Sequence, residues 1–418
     1  MILYLNNFKG FSDSFIPLES VNFLVGDNST GKSTLLQVLE MLSQHSFWTM
    51  PQLSSGEYHL GPFNEIVNQL SSDRSFFQIG AEFNTVNIQE PGAEPILFRV
   101  LETFKEREGN IVLDSFQYLQ SGNSYYCSQI TTPSLRVSIR RKQYSSFVEW
   151  VHSGVPTRSR VIENKSLYFS WLPSLMRLVQ ETYNGNDYHH LLYPVELSNF
   201  TVISPIRAEA HRIYEHFAQS YSPQGDHIPV LLNKIMHSND RINKTIISRL
   251  NQFGQNSKLF DGISTPRFGE SSESPFSVTV EYGEVKTNLT NVGYGVTQSL
   301  PLVVETLTSK SCVFSIQQPE VHLHPKAQAA FGDLLYESAT VNNNSFFCET
   351  HSDFILNRYR YALHKGTQKV KSQVLFFTRD EKGTHVISIP IDENGHYQKV
   401  PDDFMKFFID EELKMLEF

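Results

Sequence analysis

The sequence predicts an α/β fold in which short buried strands alternate with helices. Three stretches predict it, because each contains an apolar run of strand length, then a polar turn, then a segment with helical spacing of apolar residues. These stretches are Val21 to Val25 with a helix over 32–44, Cys312 to Ile316 with a helix from Lys326, and Phe346 to Cys348 with a helix opened by Phe354. Alternation of this kind is typical of the α/β class.

Composition narrows the class of protein. A length of 418 residues favours roughly two or three domains, and 40% apolar residues fit a globular chain. No run approaches the roughly twenty apolar residues of a membrane span, and the N-terminus lacks a cleavable leader, so we expect a cytoplasmic protein. Three scattered cysteines suit a reducing compartment. A net charge of −9 does not favour nucleic-acid binding, although a local basic surface stays compatible with it.

The order of these patterns divides the chain into four predicted regions. Residues 1–83 and 276–418 form the N-terminal and C-terminal parts of the main domain. Residues 84–194 form an inserted domain, which is β-rich and partly helical, and residues 195–275 form a helical region that ends in a mobile loop. Within the helical region, one helix is expected to carry Arg212 and Tyr214.

The predicted insert consists of alternating, aromatic-rich runs that indicate an antiparallel meander followed by a helix near 168–180. The runs are Ile96 to Phe104, Ile111 to Leu119, Ser134 to Arg140 and Ser146 to Val151. The insert has no sustained heptad pattern and no Cys-x-x-Cys motif, which argues against a long coiled coil closed by a zinc hook.

Positive charge follows one of these runs. It comes from Arg136, Arg140, Arg141 and Lys142. One interpretation is a solvated sheet edge, which basic side chains commonly protect from pairing. The other is a contact with DNA or with a protein partner.

A phosphate-binding loop lies between the first buried strand and its helix. The pattern is a glycine, four residues, then Gly-Lys-Ser. Its candidate binding residues are Gly26, Asn28, Ser29, Thr30, Gly31, Lys32, Ser33 and Thr34. The glycines let successive N–H groups point inward, and the new helix adds its positive dipole. In this motif we expect Lys32 to reach the β- and γ-phosphates of a nucleoside triphosphate and the Ser33 hydroxyl to bind magnesium.

A second glycine-punctuated loop, residues 291–301, runs directly into an apolar helix. Its polar and glycine positions are Gly293, Gly295, Thr297 and Gln298. Because such a loop presents N–H groups and a hydroxyl at a helix N-terminus, it predicts a second anion site.

Polar residues also follow the two later buried strands. Gln317, Gln318 and Glu320 end the strand from Cys312, at the position where such folds hold magnesium and align the attacking water. His351 ends the next strand, where it is placed to bond the γ-phosphate or that water. His322 and His324 have a metal-like spacing, but no third ligand is evident nearby, so we interpret them as structural or subunit-contact residues.

This order of motifs resembles the ABC-type ATPases of the RecF, SMC and overcoming-lysogenization-defect group. It is especially similar to the stand-alone AAA-family ATPases of bacterial antiphage loci of the Septu or retron-associated type. The matching segments are Gly26 to Thr34 (Walker A), Asn291 to Pro301 (a degenerate signature loop), Ile316 to Pro325 (Walker B) and Glu349 to Ser352 (the switch histidine). Pro205 to Arg207 and Ile389 to Phe408 add to the similarity.

The resemblance implies a P-loop ABC-type ATPase head that binds ATP and Mg²⁺. It further implies a homodimer with two ATP molecules between the subunits, so that Walker A of one chain faces Gly293, Gly295, Thr297 and Gln298 of the other. His351, Gln317, Gln318 and Glu320 are then the catalytic group, and Ser33 with Gln317 holds the metal.

One departure from the family pattern affects catalysis. Where the family usually has an acidic residue followed by Glu or Gln, this chain has Gln317 and Gln318. An amide can accept from a magnesium-bound water, but it carries no charge and does not act as a general base. We expect slow or absent turnover. Both a naturally weak ATPase and an introduced Glu→Gln substitution at Gln317 are compatible with the sequence.

The resulting hypothesis is an ATP-dependent switch in antiphage defence that controls a separate effector, either a nuclease or a toxin. Only 66 residues follow Ser352, too few for an acidic, metal-binding nuclease domain. Two alternatives stay open: an ATP-locked scaffold with little hydrolysis, and a RecF-like clamp that loads on DNA ends.

Overall fold

The protein is described by a computed structural model. The described residues are those outside 50, 52, 56–57, 86–94, 121, 129–133, 157, 164–171, 183–193, 216–219 and 409–418. They fall into two compact units. Unit 1 contains Met1–Leu18, Asp27–Ser198 and Phe377–Ser388, and unit 2 contains Glu19–Gly26, Asn199–Phe376 and Ile389–Phe418. The regions predicted from sequence, with boundaries at 84, 195 and 276, stay a prediction.

Helices and strands alternate through much of the chain. The helices are α1 (Lys32–Ser43), α2 (His45–Thr49), α3 (Phe63–Ile66), α4 (Phe147–His152), α5 (Leu172–Thr182), α6 (Ile228–Met236), α7 (Arg241–Ser257), α8 (Tyr294–Thr308), α9 (Pro325–Val341) and α10 (Asp353–Lys365). The strands before residue 200 are β1 (Ile2–Asn6), β2 (Ser14–Pro17), β3 (Val21–Gly26), β4 (Ser54–Ser55), β5 (Tyr58–His59), β6 (Phe77–Thr85), β7 (Ile96–Arg107), β8 (Asn110–Gln120), β9 (Asn123–Ser128), β10 (Ser134–Arg141) and β11 (Arg160–Glu163). The later strands are β12 (Phe200–Ile203), β13 (Gly262–Ser264), β14 (Thr279–Tyr282), β15 (Val285–Asn288), β16 (Val313–Gln317), β17 (Ser345–Glu349), β18 (Ser372–Asp380) and β19 (Gly383–Ile391).

Unit 1 is organised around an antiparallel sheet in the order β11-β10-β9-β8-β7-β6-β1-β2. Strands β7 to β11 come from the predicted insert, and they continue the same sheet as β1, β2 and β6. The meander predicted there is therefore confirmed for three of its four runs. Aromatic side chains pack along the sheet, with the rings of Phe77 and Phe104 stacked 5.2 Å apart.

The fourth run of that meander was assigned wrongly. Residues 147–151 belong to helix α4, and Ser146 is its N-cap. The Ser146 hydroxyl accepts a hydrogen bond from the Glu149 N–H at 3.1 Å. Ser-x-x-Glu before an apolar segment is a capping-box signature, which fixes a helix start regardless of the alternating pattern around it.

The basic run 136–142 lies at the edge of the sheet only beyond Val137, because Arg140 and Arg141 pair with β9 alone among the described strands. Strand β11 pairs with β10 at Arg136, so that residue has a neighbouring strand on each side. Beyond the end of β11, Arg140 donates to the backbone carbonyls of Ser153 and Val155 at 2.7 and 3.1 Å. Arg140 therefore anchors the segment after α4.

Glu102 is a buried carboxyl group in an apolar row of the unit 1 sheet. Directly paired residues face the same side of an antiparallel sheet, and Glu102 pairs with Ile79 and Phe116. Phe116 in turn pairs with Cys127. Neither Glu102 carboxyl oxygen has a hydrogen-bond partner among the described residues, and the side chain is 1% exposed. Burial raises the pKa of Glu102 well above its ordinary value.

We expect Glu102→Gln to stabilise the protein at high pH and to have no such effect at low pH. When folding raises the pKa of a carboxyl group, that group contributes fully to the free energy of unfolding at pH values below its unfolded pKa. This contribution is lost as the pH rises towards the folded pKa. The wild type should therefore lose up to about 1.4 kcal/mol of stability, relative to the variant, for each pH unit in that range. Thermal unfolding at pH 5 and pH 8 measures the difference. The exposed Glu106→Gln on the same strand is the control, and an equal response of both variants would contradict the prediction.

Unit 2 contains the parallel part of a six-stranded sheet whose order is β12-β16-β17-β3-β18-β19. Strands β12, β16, β17 and β3 are parallel neighbours. The register pairs Gln317 with Glu349 and Glu349 with Leu24. The carboxyl ends of three neighbouring strands therefore lie side by side. The predicted α/β fold is confirmed.

Two details of unit 2 differ from the sequence predictions. No helix carries Arg212 and Tyr214; instead, Tyr214 forms a β-bridge with Phe276, and the two rings stack at 5.6 Å. An aromatic pair that bridges distant segments outweighs local helix propensity. The segment 255–275, predicted as a mobile loop, contains the short strand β13, which pairs with β14.

Candidate nucleotide site

The loop between β3 and α1 has the backbone conformation of a phosphate-binding loop. Gly26, Ser29 and Gly31 have positive φ values of 145°, 61° and 104°. A Cβ atom added to Gly31 would lie 2.9 Å from the ring of Phe11, so both sterics and backbone require glycine there. Helix α1 starts on Gly31 without a side-chain cap, which leaves its first N–H groups to bind an anion.

Lys32 is held against this loop. Its ammonium donates to the Asp27 carbonyl oxygen at 2.7 Å, and the Thr30 hydroxyl donates to the same oxygen at 2.7 Å. The Lys32 side chain is buried, whereas Asn28, Ser29 and Ser33 are exposed. The Asp27 carbonyl therefore holds the Thr30 hydroxyl and the buried Lys32 ammonium within the loop, whereas Ser33 lies at the surface.

Gln317, Gln318, Glu320 and His351 come together at the carboxyl ends of β16 and β17 in unit 2. The Gln318 N–H donates to the Glu349 carbonyl at 2.8 Å, which continues the strand pairing beyond Gln317. Gln318 has a positive φ of 43°, an unusual conformation for a residue with a side chain. The chain therefore leaves the sheet at Gln318.

Glu320 joins the two strand ends. Its carboxylate accepts from the Thr350 hydroxyl at 2.8 Å and from the His351 N–H at 2.7 Å. Both carboxylate oxygens are thus engaged with the segment that follows β17. This arrangement suits a positioning residue better than a general base, because a base must direct a lone pair at the reacting water.

The sequence did not indicate the place of Glu349. This buried residue pairs directly with Gln317 across parallel strands, so a carboxyl group lies beside the glutamine that ends β16. The register that brings them together depends on the whole sheet and has no local signal.

One of the two paired histidines has a structural role. His324 caps α9, and its side chain accepts a hydrogen bond from the Ala327 N–H at 3.4 Å. No group of three His, Cys, Asp or Glu side chains suited to a metal ion occurs among the described residues.

The second glycine loop leads into α8, which begins at Tyr294 on an uncapped Gly293. A Cβ atom added to Gly293 would meet nothing within 4 Å, so this part of the loop borders open space. At Gly295 a Cβ atom would lie 3.0 Å from the His322 carbonyl oxygen, so a side chain there would crowd that backbone. Thr297 is half-buried and Gln298 is buried in the first turns of the helix.

Arg207 is a further residue to which the sequence assigned no role. It follows β12, and its side chain is 5% exposed. No atom of its guanidinium group has a hydrogen-bond partner among the described residues. Burial lowers its pKa to about 10, whereas nearby Glu320 and Cys348 act in the opposite direction. The Pro-Ile-Arg tripeptide was the only available signal.

The fold and the loop geometry define a P-loop protein of the α/β class. The family model described as an AAA ATPase domain, AAA_15, matches residues 1–356. The chain therefore belongs to this ATPase family. The comparison with curated proteins gives no significant match.

Three solved structures illustrate the similarity beyond the family model. An SMC head bound to the C-terminal winged-helix domain of ScpA is 12% identical with a TM-score of 0.46, over 94% of this chain and 98% of that chain. The SMC head domain from Thermotoga maritima is 11% identical with a TM-score of 0.37, over 93% and 98%. The recombination mediator RecF is 10% identical with a TM-score of 0.35, over 92% and 97%. These values are low, and the family assignment rests on the AAA ATPase domain match.

Within the part of the chain that the structure describes, none of the helices combines the length and the apolar character needed to cross a membrane.

Proposed function

We propose that this chain is an ATP-binding switch that acts as a homodimer. In the proposed dimer, two ATP molecules lie between the subunits, and each P-loop faces residues 291–301 of the other copy. The observation that carries the nucleotide part is the loop before α1, with its glycine-initiated helix and its buried Lys32. The open space around Gly293 supports the second part, because it leaves the start of α8 accessible to another molecule.

Magnesium fits this proposal through oxygen ligands. The exposed Ser33 hydroxyl and the Gln317 amide oxygen are the groups proposed to hold it. When bound, Mg²⁺ neutralises phosphate charge and orients the phosphates. A neutral amide is a weaker ligand for a hard cation than a carboxylate, so we expect weak magnesium dependence.

A second candidate function, an ATP-locked scaffold with little turnover, is favoured by the composition of the strand ends. Gln317 and Gln318 cannot accept a proton, and the Glu320 carboxylate already accepts two hydrogen bonds. His351 is then left to sense the γ-phosphate without a base beside it. Both candidates share ATP-dependent closure and differ only in whether hydrolysis ends it.

We further propose that closure controls a separate effector, a nuclease or a toxin, in bacterial antiphage defence. The resemblance of the four sequence motifs to those of stand-alone ATPases from antiphage loci supports this role. Such a switch does not have to modify the effector chemically. ATP that binds only the closed dimer shifts the equilibrium between open and closed forms by its binding free energy, and the effector responds to the closed form.

The test is the molar mass of the purified protein in solution, measured by light scattering with ATP and Mg²⁺, with ADP and Mg²⁺, and without nucleotide. We expect dimer mass with ATP alone, because ADP lacks the phosphate that bridges the subunits. Monomer mass at saturating ATP would refute the dimer, and absence of ATP binding would refute the switch.

A further inference from the structure

The last described segment of the chain, residues 402–408, is helical and belongs to unit 2. Its anchor is Phe404, which is 1% exposed. The Phe404 ring lies 5.4 Å from that of Phe376 in β18 and 5.2 Å from that of Tyr397. The Arg360 guanidinium lies 3.8 Å from the centre of the Tyr397 ring. Aromatic packing therefore fixes this segment on the core of unit 2.

Phe407 connects this anchor to the histidine that follows β17. Phe404 and Phe407 are three residues apart in a helical segment, so they lie on the same face. The Phe407 ring lies 6.1 Å from that of Phe376 and 6.2 Å from that of His351, and the planes of the latter pair are 30° apart. Both separations are within the range of attractive ring pairs. The C-terminal segment therefore contacts the predicted switch histidine directly.

The backbone and the ring of His351 are held by different parts of unit 2. The His351 N–H donates to the Glu320 carboxylate at 2.7 Å. The neighbouring Thr350 N–H donates to the carbonyl of Leu24 in β3 at 3.1 Å, which places this segment beside the strand end where the phosphate-binding loop begins. Among the described residues the imidazole makes no hydrogen bond, and the ring that packs against it is that of Phe407. The orientation of the imidazole therefore depends on this packing.

We propose that Phe407 is a positioning residue that holds the His351 imidazole in the orientation facing the terminal phosphate of bound ATP. This inference rests on the proposed function, in which His351 senses the γ-phosphate, and adds the C-terminal segment to it. A ring that is ordered before the nucleotide arrives loses less rotational freedom on binding, so the contact with the phosphate is stronger. Phe407 acts through His351 and does not itself bind the nucleotide.

A double-mutant cycle tests this proposal with wild type, Phe407→Leu, His351→Gln and the double variant. Calorimetry measures the affinity of each for ATP and for ADP in the presence of Mg²⁺. We expect Phe407→Leu to weaken ATP binding about threefold to tenfold, the factor that corresponds to the loss of one aromatic pair. Affinity for ADP should not change, because ADP lacks the γ-phosphate. In the His351→Gln background Phe407→Leu should cause no further loss, because the two residues act as a unit.

Two further variants separate positioning from a general defect of the segment. Phe408→Leu removes the adjacent ring, whose aromatic partners among the described residues are Phe404 and Phe407, and it should keep the wild-type affinities. Phe407→Tyr keeps the ring and should behave as wild type. Since Phe407 and Phe408 are both half-buried, the two leucine variants should have similar melting temperatures. Equal weakening of ATP and ADP by Phe407→Leu, or a full further loss in the His351→Gln background, would overturn the proposal.

NMR of the histidine ε1 groups reports the ring contact itself, and His351→Gln identifies the His351 signal. Phe407→Leu should shift this signal by removing the ring current of the phenylalanine, whereas Phe408→Leu should leave it in place. If His351→Gln does not change the preference for ATP over ADP, the proposed function of His351 fails, and the positioning proposal fails with it. If His351→Gln abolishes that preference while Phe407→Leu changes neither the preference nor the signal, the positioning proposal alone fails.

Discussion

Lys32→Ala is expected to weaken ATP binding by at least about 100-fold. Each charge-assisted hydrogen bond is worth roughly 1.5–3 kcal/mol, and a P-loop lysine reaches more than one phosphate. Because the Lys32 ammonium already lies against the Asp27 carbonyl, it is positioned before the nucleotide arrives. Affinity for a fluorescent ATP analogue with Mg²⁺, and dimer mass at saturating ATP, measure the loss.

The fold should survive this substitution. The Thr30 hydroxyl also donates to the Asp27 carbonyl, so the loop keeps a partner for that oxygen. Lys244→Ala, at an exposed position on α7, removes the same charge away from the loop and serves as the control. Equal affinities of the two variants would show that the loop does not hold the phosphates.

Gln317→Glu is expected to raise ATP hydrolysis by about 100-fold. Proton transfer by a positioned group contributes at least about this factor, and a carboxylate is also a better magnesium ligand than an amide. The new carboxylate would lie beside Glu349, because the two residues pair across parallel strands. Two adjacent carboxylates repel each other, so the variant should also melt at a lower temperature without Mg²⁺ and recover when Mg²⁺ is added.

Phosphate release across a magnesium titration measures this effect. Gln368→Glu, in an exposed segment after α10, makes the same chemical change elsewhere in unit 2. Brisk and equal rates for wild type and Gln317→Glu would exclude the ATP-locked scaffold. A slow rate in both would mean that the glutamine at the end of β16 does not limit turnover.

The sequence predicted best those segments whose structure is determined by interactions between neighbouring residues. The strand, loop and helix at residues 21–44 follow from apolar periodicity and glycine spacing, and the structure has them nearly at the predicted bounds. The same holds for β16 and β17. Such segments carry their own signal, because backbone sterics and burial act within a few residues.

The features that could not be predicted from the sequence depend on contacts between segments that are distant in the chain. The pairing of Gln317 with Glu349 is set by sheet register across 32 residues of chain, and the burial of Arg207 depends on elements that are distant in sequence. Tyr214 pairs with Phe276 for the same reason. Helix α4 was missed despite a local signal, the cap formed by Ser146 and Glu149.

The two bonds accepted by Glu320 have a mechanical consequence. They hold the backbone of His351 against the turn that carries Glu320 and His322, and the His322 ring lies 5.6 Å from the ring of Tyr294, the first residue of α8. A displacement of Thr350 and His351 therefore moves the turn that carries Glu320 as well. We therefore expect a displacement at the end of β17 to reach the first turn of α8 through Glu320 and His322.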